Sequence, residues 1–208
     1  NFGDGAINAY DPRTGAFQKV PGLRDADRTE TSASVLLPPA QDQKVMILGG
    51  GGVGESRKST ARTAVVDLKK DSPVFEDGPD LPQGTRYLNS VIMPDDTVFT
   101  TNGSRDYRGR GASNILKAQF YDPRTNSFHE AAAPRVGRNY HSEALLLPDG
   151  RVATFGSDPL FDDRKNTANT PAVKPCNGPS HRFDNCSTSI GDDCDIGCTR
   201  IASATSSR

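Results

Sequence analysis

The stretch Arg138 to Gly156, RNYHSEALLLPDGRVATFG, decides how the rest of this chain is read. Pro148-Asp149-Gly150 at its centre is a tight turn. Proline presets one backbone angle, the aspartate carboxylate bonds nearby backbone, and glycine supplies the positive φ. The apolar run Ala144 to Leu147 before the turn is too short for a helix and reads as a buried strand. Arg151 to Phe155 after it alternates and reads as the return strand of a hairpin. Tyr140 and His141 therefore stand where the chain enters the first strand, a place suited to chemistry.

Working outward, the hairpin is one of three. Val35-Leu36-Leu37-Pro38 and Val91-Ile92-Met93-Pro94 precede Leu145-Leu146-Leu147-Pro148, with the prolines 56 and 54 residues apart. Each is followed by a strand ending in glycine, as in Met46-Ile47-Leu48-Gly49-Gly50 and Phe99-Thr100-Thr101-Asn102-Gly103. A second motif repeats between them. Tyr10-Asp11-Pro12-Arg13-Thr14-Gly15-Ala16-Phe17 returns as Tyr121-Asp122-Pro123-Arg124-Thr125-Asn126-Ser127-Phe128, with a degenerate copy from Val66-Asp67-Leu68 to Phe75. Four short strands at a period near 50 residues is the pattern of a kelch-type β-propeller blade. Two units are complete, roughly 33–76 and 88–131, with the outer strands of one blade before them and the inner strands of another after. The expected fold is all-β: about three blades of a larger propeller over 1–161, then an irregular cysteine-containing tail over 162–208. Propellers close with four or more blades, so the chain reads as part of a larger one; no Met starts it and no signal peptide is visible, so Asn1 reads as a processed or excised end.

Composition agrees with this class. The 208 residues hold 20 Gly and 15 Pro, no Trp, and only 34% hydrophobic residues, which favours turns and short strands over a helical core. The net charge of −1 calls for neither nucleic acid nor a membrane surface. No apolar run approaches the length of a membrane span. All four cysteines, Cys176, Cys186, Cys194 and Cys198, lie in the tail with His181 among them. Their spacing fits no zinc pattern. Two disulfides, with three possible connectivities, suit an extracellular context, and a tail foreign to the domain is the other reading. The sequons Asn102-Gly103-Ser104 and Asn185-Cys186-Ser187 add some weight to an extracellular or cell-surface location.

Three further segments invite functional readings. Gly49 to Ser56, GGGGVGES, spaces like a phosphate loop, but Glu55 stands where a lysine is needed and a strand pattern follows. It reads as a blade's glycine pair running into a loop. Ser104 to Gly111, SRDYRGRG, reads as a solvated loop rather than a substrate-facing one or a nucleic-acid patch. His129 reads as surface. Tyr140 and His141 could hold Cu(II), which accepts imidazole and oxygen donors, although two donors do not complete a site.

The run Arg138-Asn139-Tyr140-His141-Ser142 with Leu145 to Val152 resembles the galactose oxidase and glyoxal oxidase family of copper radical oxidases. Thr85-Arg86-Tyr87-Leu88-Asn89, Met93-Pro94-Asp95-Asp96 and Arg105-Asp106-Tyr107-Arg108-Gly109 are most similar to the bacterial glyoxal-oxidase-like branch. The resemblance covers about residues 1–163. It implies a seven-bladed propeller followed by a β-sandwich, with copper (Cu2+) on the propeller axis bound by two tyrosines and two histidines. It implies a tyrosine–cysteine radical cofactor and oxidation of a primary alcohol or aldehyde, or a carbohydrate, while O2 becomes hydrogen peroxide. Tyr140 would be the axial metal ligand and the catalytic base that takes the substrate proton, and His141 an equatorial metal ligand. The radical tyrosine, its cysteine and the second histidine have no match here, and Tyr87 reads as a blade residue. The chain alone is therefore expected to be inactive, with the remaining part of the propeller as a partner. The alternative is a non-catalytic kelch module that binds a glycan or a protein.

Overall fold

In a computed structural model, residues 7–24, 28–110, 113–134, 137–155 and 197–199 are described. They form antiparallel strands joined by turns, with two short 3-10 turns at Ala40–Asp42 and Tyr107–Gly109. A ribbon of β1 (Asn8–Asp11) and β2 (Ala16–Lys19) comes first. A four-stranded sheet follows: β3 (Ala33–Leu36), β4 (Lys44–Leu48), β5 (Thr63–Asp67) and β6 (Glu76–Asp77), in sequential order. The next sheet repeats the meander with β7 (Asn89–Ile92), β8 (Val98–Thr101), β9 (Gln119–Asp122) and β10 (Ser127–Glu130). The last contains β11 (Glu143–Leu146), β12 (Val152–Phe155) and β13 (Gly197–Thr199). Both complete four-stranded sheets fall where the repeat places them.

The turns work as their residues dictate. Gly150 adopts φ 80 and its N–H donates to the Leu147 carbonyl at 3.0 Å. The Asp149 carboxylate accepts the Arg151 N–H at 3.1 Å. In the second sheet Asp96 takes the glycine's place at φ 65, and Asp95 accepts the Thr97 N–H at 3.1 Å. The Tyr-Asp-Pro motif is likewise a turn. Asp11 and Asp122 accept the N–H of Arg13 and Arg124 at 2.9 and 2.8 Å, and Asp67 in the degenerate copy accepts that of Lys69 at 2.9 Å.

Strand alternation assembles the core. Neighbouring side chains on a strand point to opposite faces, so β4 serves two layers. Met46 and Leu48 enter a cluster with Val98 and Tyr121 of the second sheet, while Ile47 joins Val20, Val66 and Phe75 on the other face. In β8, Val98 faces the first sheet and Phe99 turns the other way, to Ala144 and Val152 of the last. The apolar clusters thus sit between successive sheets, each shared by two layers.

One expectation fails. The run Ala144 to Leu147 is not a buried strand: Ala144 is 5% exposed, but Leu145 and Leu146 are 53% and 38% exposed. A strand is buried on both faces only when a layer lies on each, and among the described residues none covers the face of β11 that carries Leu145, while Leu146, on the face of Ala144, is half-exposed at the turn end of the strand. In the tail, Gly197–Thr199 pairs antiparallel with β12, Ala153 opposite Cys198. The remainder of 162–208, including His181, Asn185 and the pairing of the cysteines, lies outside the described residues.

Candidate functional site

The three sheets share a backbone device at one end. Two residues before the first strand of each sheet stands a non-glycine residue with left-handed backbone: Thr31 at φ 60, Tyr87 at φ 60 and His141 at φ 53. A β-branched or bulky residue is seldom found there, and such positions persist only where surrounding contacts enforce them. His141 therefore occupies in the last sheet the place that Thr31 and Tyr87 occupy in the other two.

Contacts around His141 supply that enforcement. Asn139 is fully buried; its amide donates to Asn114 Oδ1 at 2.7 Å, and its own Oδ1 accepts the Tyr140 N–H. The Arg138 carbonyl accepts the Gly103 N–H at 2.7 Å. Asn102 donates to Asn89 Oδ1 at 2.7 Å, and the Asn89 amide donates to the Ser142 carbonyl at 3.0 Å. Residues 138–142 are thus tied to the second sheet and its loop by a chain of buried and half-buried amides. Gly109 must stay a glycine here, because at φ 79 an added Cβ would lie 2.3 Å from the Asn139 amide nitrogen.

On this bracket sits an aromatic cluster. Tyr140, partly buried, stacks on the exposed His141 ring with centroids 3.8 Å apart and planes 28° apart. Tyr87 meets the Tyr140 ring edge-on at 5.2 Å, and its hydroxyl oxygen accepts the Arg108 N–H at 3.3 Å. Burial pushes the Tyr87 phenol above its ordinary pKa, against the opposing pull of Arg86. The Arg108 guanidinium carbon lies 4.4 Å from the Tyr140 ring centre and 5.0 Å from that of Tyr107, within cation–π range of both.

The loop 104–111 is therefore not simply solvated. Ser104, Asp106 and Gly109 are buried, and the 3-10 turn at Tyr107–Gly109 lays Arg108 against the rings of Tyr107 and Tyr140. Sequence reasoning missed this because the contact joins residues more than thirty positions apart, without a local signature. The clue was compositional: a Tyr-Arg pair between two glycines in a polar loop.

The glycine-rich loop is a cation cradle rather than a phosphate loop. Arg86 is fully buried and donates to the Ser56 and Gly52 carbonyls at 2.5 and 3.1 Å and to Thr31 Oγ1 at 3.2 Å. Carbonyl oxygens point inward where a phosphate would need N–H groups. Glu55 pairs with Arg110 at 3.0 Å. Of the other sequence candidates, His129 is exposed on β10 with Nε2 3.3 Å from Ser127 Oγ, as expected of a surface residue. The Asn102 sequon is not available in the fold, since Asn102 is 2% exposed and its amide is hydrogen-bonded within the bracket.

The class these features define is an all-β, propeller-like protein with a Tyr-His corner at one end of its sheets. No protein-family model matches the sequence. The chain is 27% identical over 162 residues to galactose oxidase of Gibberella zeae, covering 73% of this chain and 23% of that one. A shorter stretch of 73 residues is 40% identical to a WSC domain-containing protein of Arthroderma benhamiae, 32% of this chain and 8% of the other. Among solved structures, a fungal alcohol oxidase of the AA5 family in complex with copper superposes with a TM-score of 0.68 at 26% identity. That match covers 78% of this chain and 34% of the other. The chain is thus similar in sequence to a galactose oxidase and in fold to a copper-bound alcohol oxidase of the AA5 family. It spans less than a quarter of the length of the galactose oxidase it matches.

Proposed function

We propose that residues 1–161 are about three blades of a larger kelch propeller, followed by an irregular tail over 162–208, and that Tyr140 and His141 supply part of a copper site. The observation that carries this reading is the Tyr140–His141 stack, held at a backbone position the other sheets also force into left-handed geometry. A phenol oxygen and an imidazole nitrogen are donor types that suit Cu(II). Among the described residues no group of three or more His, Cys, Asp or Glu gathers at one point. The residues present thus fit part of a copper site, and the other donors must come from outside them.

Copper bound there would supply the redox chemistry for oxidising a primary alcohol or aldehyde by two electrons while O2 is reduced to hydrogen peroxide. The chain's own residues have simpler tasks. His141 would hold the metal through a ring nitrogen, with its ring oriented by the Tyr140 stack. Tyr140 would take the proton from the substrate hydroxyl at its phenol oxygen, a general-base role that requires substrate within hydrogen-bond reach. On this reading the tyrosine–cysteine radical residues come from the rest of a propeller, which is the chain's partner, and the chain by itself is expected to lack oxidase activity. An extracellular or cell-surface location and the glyoxal-oxidase-like branch belong to the same reading.

A second reading is favoured by one observation: Leu145 and Leu146 lie uncovered on β11 beside a site with only two donors. On it, the chain is a non-catalytic module for a glycan or protein partner. Copper titration followed by electron paramagnetic resonance decides between them. The oxidase reading expects a stoichiometric tetragonal Cu(II) signal that is lost in His141→Ala. A wild-type chain with no specific signal, or one unchanged in the variant, rejects it.

A further inference from the structure

The aromatic cluster contains cationic charge that no carboxylate among the described residues neutralises. Arg86, Arg108 and Arg110 lie within cation–π range of Tyr107, and Arg57 reaches the neighbouring Asp106. Two are paired or displaced from the problem: Arg110 is bridged to Glu55 at 3.0 Å, and Arg57 to the buried Asp106 at 3.0 Å. The carboxylates of this neighbourhood are thereby taken. Arg86 is fully buried, and its hydrogen-bond acceptors among the described residues are neutral oxygens, those of Ser56, Gly52 and Thr31. Arg108 makes no ion pair among the described residues. Its guanidinium lies between the Tyr107 and Tyr140 rings, and its Nε is shut off from solvent without an acceptor.

That arrangement is costly unless something completes it. A shielded N–H without a partner forfeits its hydration, and two guanidinium charges without carboxylates build a positive potential over a low-dielectric aromatic wall. Arg108 is also fixed in an unfavourable backbone state at φ 47, with its N–H on the Tyr87 hydroxyl. Strain of this kind, spent on aiming one side chain, marks a site. The guanidinium fork matches a carboxylate in two parallel hydrogen bonds.

We propose that Arg108 is the receptor for a carboxylate, and that the molecule recognised beside Tyr140 is a small alcohol or aldehyde that also carries a carboxylate, such as a 2-oxo or 2-hydroxy acid. As a statement about substrate it rests on the oxidase reading; as a statement about binding it does not. The carboxylate sits on Arg108 over the Tyr140 ring, leaving the other end of the molecule toward the Tyr140–His141 corner. A neutral sugar would gain nothing from the unpaired guanidinium.

The test is calorimetric titration of the full copper-free chain with glyoxylate and, separately, with neutral glycolaldehyde. Glyoxylate is expected to bind at least tenfold more tightly than glycolaldehyde. Arg108→Gln should weaken glyoxylate binding about tenfold or more, the usual worth of a charge-assisted pair. Arg108→Asn, which accepts left-handed backbone readily, should do the same if the glutamine variant misfolds. Arg110→Gln, removing a nearby charge that Glu55 already neutralises, should change affinity less than twofold. Equal affinities for the two ligands, or equal losses in the Arg108 and Arg110 variants, overturn the proposal in favour of diffuse attraction. A wild-type chain that gives a His141-dependent copper signal but no glyoxylate binding also overturns it, while sparing the oxidase reading. Arg108-dependent glyoxylate binding without any copper signal sustains the proposal and removes the oxidase reading instead.

Discussion

Arg86 shows what a single residue does for this end of the fold. Its side chain is fully buried, and the carbonyls of Gly52 and Ser56 have turned inward to receive it. Gly51 permits the approach, since an added Cβ there would lie 2.5 Å from Arg86 Nε and 2.6 Å from the Lys58 carbonyl. Truncating the guanidinium orphans several buried acceptors at once. Arg86→Met should therefore lose about 3 kcal/mol of stability, on the scale set by unsatisfied groups of roughly 1–3 kcal/mol each. Urea unfolding measures it; a loss within experimental error would mean that the loop carbonyls find water freely. Gly51→Ala should also destabilise, because the obstructing atoms include backbone. At this scale the Tyr140–His141 pair was legible, being adjacent in sequence and followed by a recognisable turn. Arg86 was not, because its three partners come from segments about 30 to 55 residues away and no local pattern announces a buried cation.

Among elements, the turns were read correctly because their chemistry is local. Asp149, Asp122 and Asp11 each accept a backbone N–H two residues on, and each turn has an arginine at that same position. For Asp122 the Arg124 side chain is the largest influence, for Asp149 that of Arg151, and for Asp11 the Arg13 N–H; all three carboxyls are held below their ordinary pKa. A depressed folded-state value means that the unfolded chain binds the proton first on acidification. The turns therefore add stability above the ordinary carboxylate pKa of about 4 and lose it as pH falls through the lower folded values. Melting temperatures of wild type and Asp122→Asn should converge as pH falls from about 6 through that window; a gap that stays constant would remove the turn carboxylate from the explanation. The effect is small, since these pairs are exposed to solvent. Strand burial was less legible. Leu145 and Leu146 look like core, yet burial depends on whether a neighbouring layer exists, and apolar runs carry no information about that. Val152, in an equally short strand, is fully buried against the second sheet. Val152→Ala should cost about 2 kcal/mol, whereas Leu145→Thr should change stability by less than about 0.5 kcal/mol. Equal losses at the two sites would contradict the layer assignment.

For the whole molecule, the sharing of each apolar cluster between two sheets has a consequence for unfolding. Met46 and Leu48 of the first four-stranded sheet pack with Val98 and Tyr121 of the second, and Phe99, on the opposite face of the same β8 strand, packs with Val152 of the last. No sheet owns its core, and a lone sheet of four short strands would expose apolar surface on both faces. Loss of one layer therefore strips its neighbour, and the sheets should open together rather than in sequence. Native-state hydrogen exchange can follow β4, β8 and β12 separately. Opening free energies for their core amides should agree within about 1 kcal/mol, and Met46→Ala should lower all three rather than β4 alone. Protection lost only in the first sheet would show that the layers are independent units, as in a repeat array whose interfaces contribute little. Coupled opening would instead tie the Tyr140–His141 corner to the distant core. The bracket of Asn139, Asn114, Asn102 and Asn89 spans the second and last sheets, so its geometry survives only while both layers stay packed. Met46→Ala should then weaken any His141-dependent copper signal near its melting temperature, although residue 46 touches neither Tyr140 nor His141.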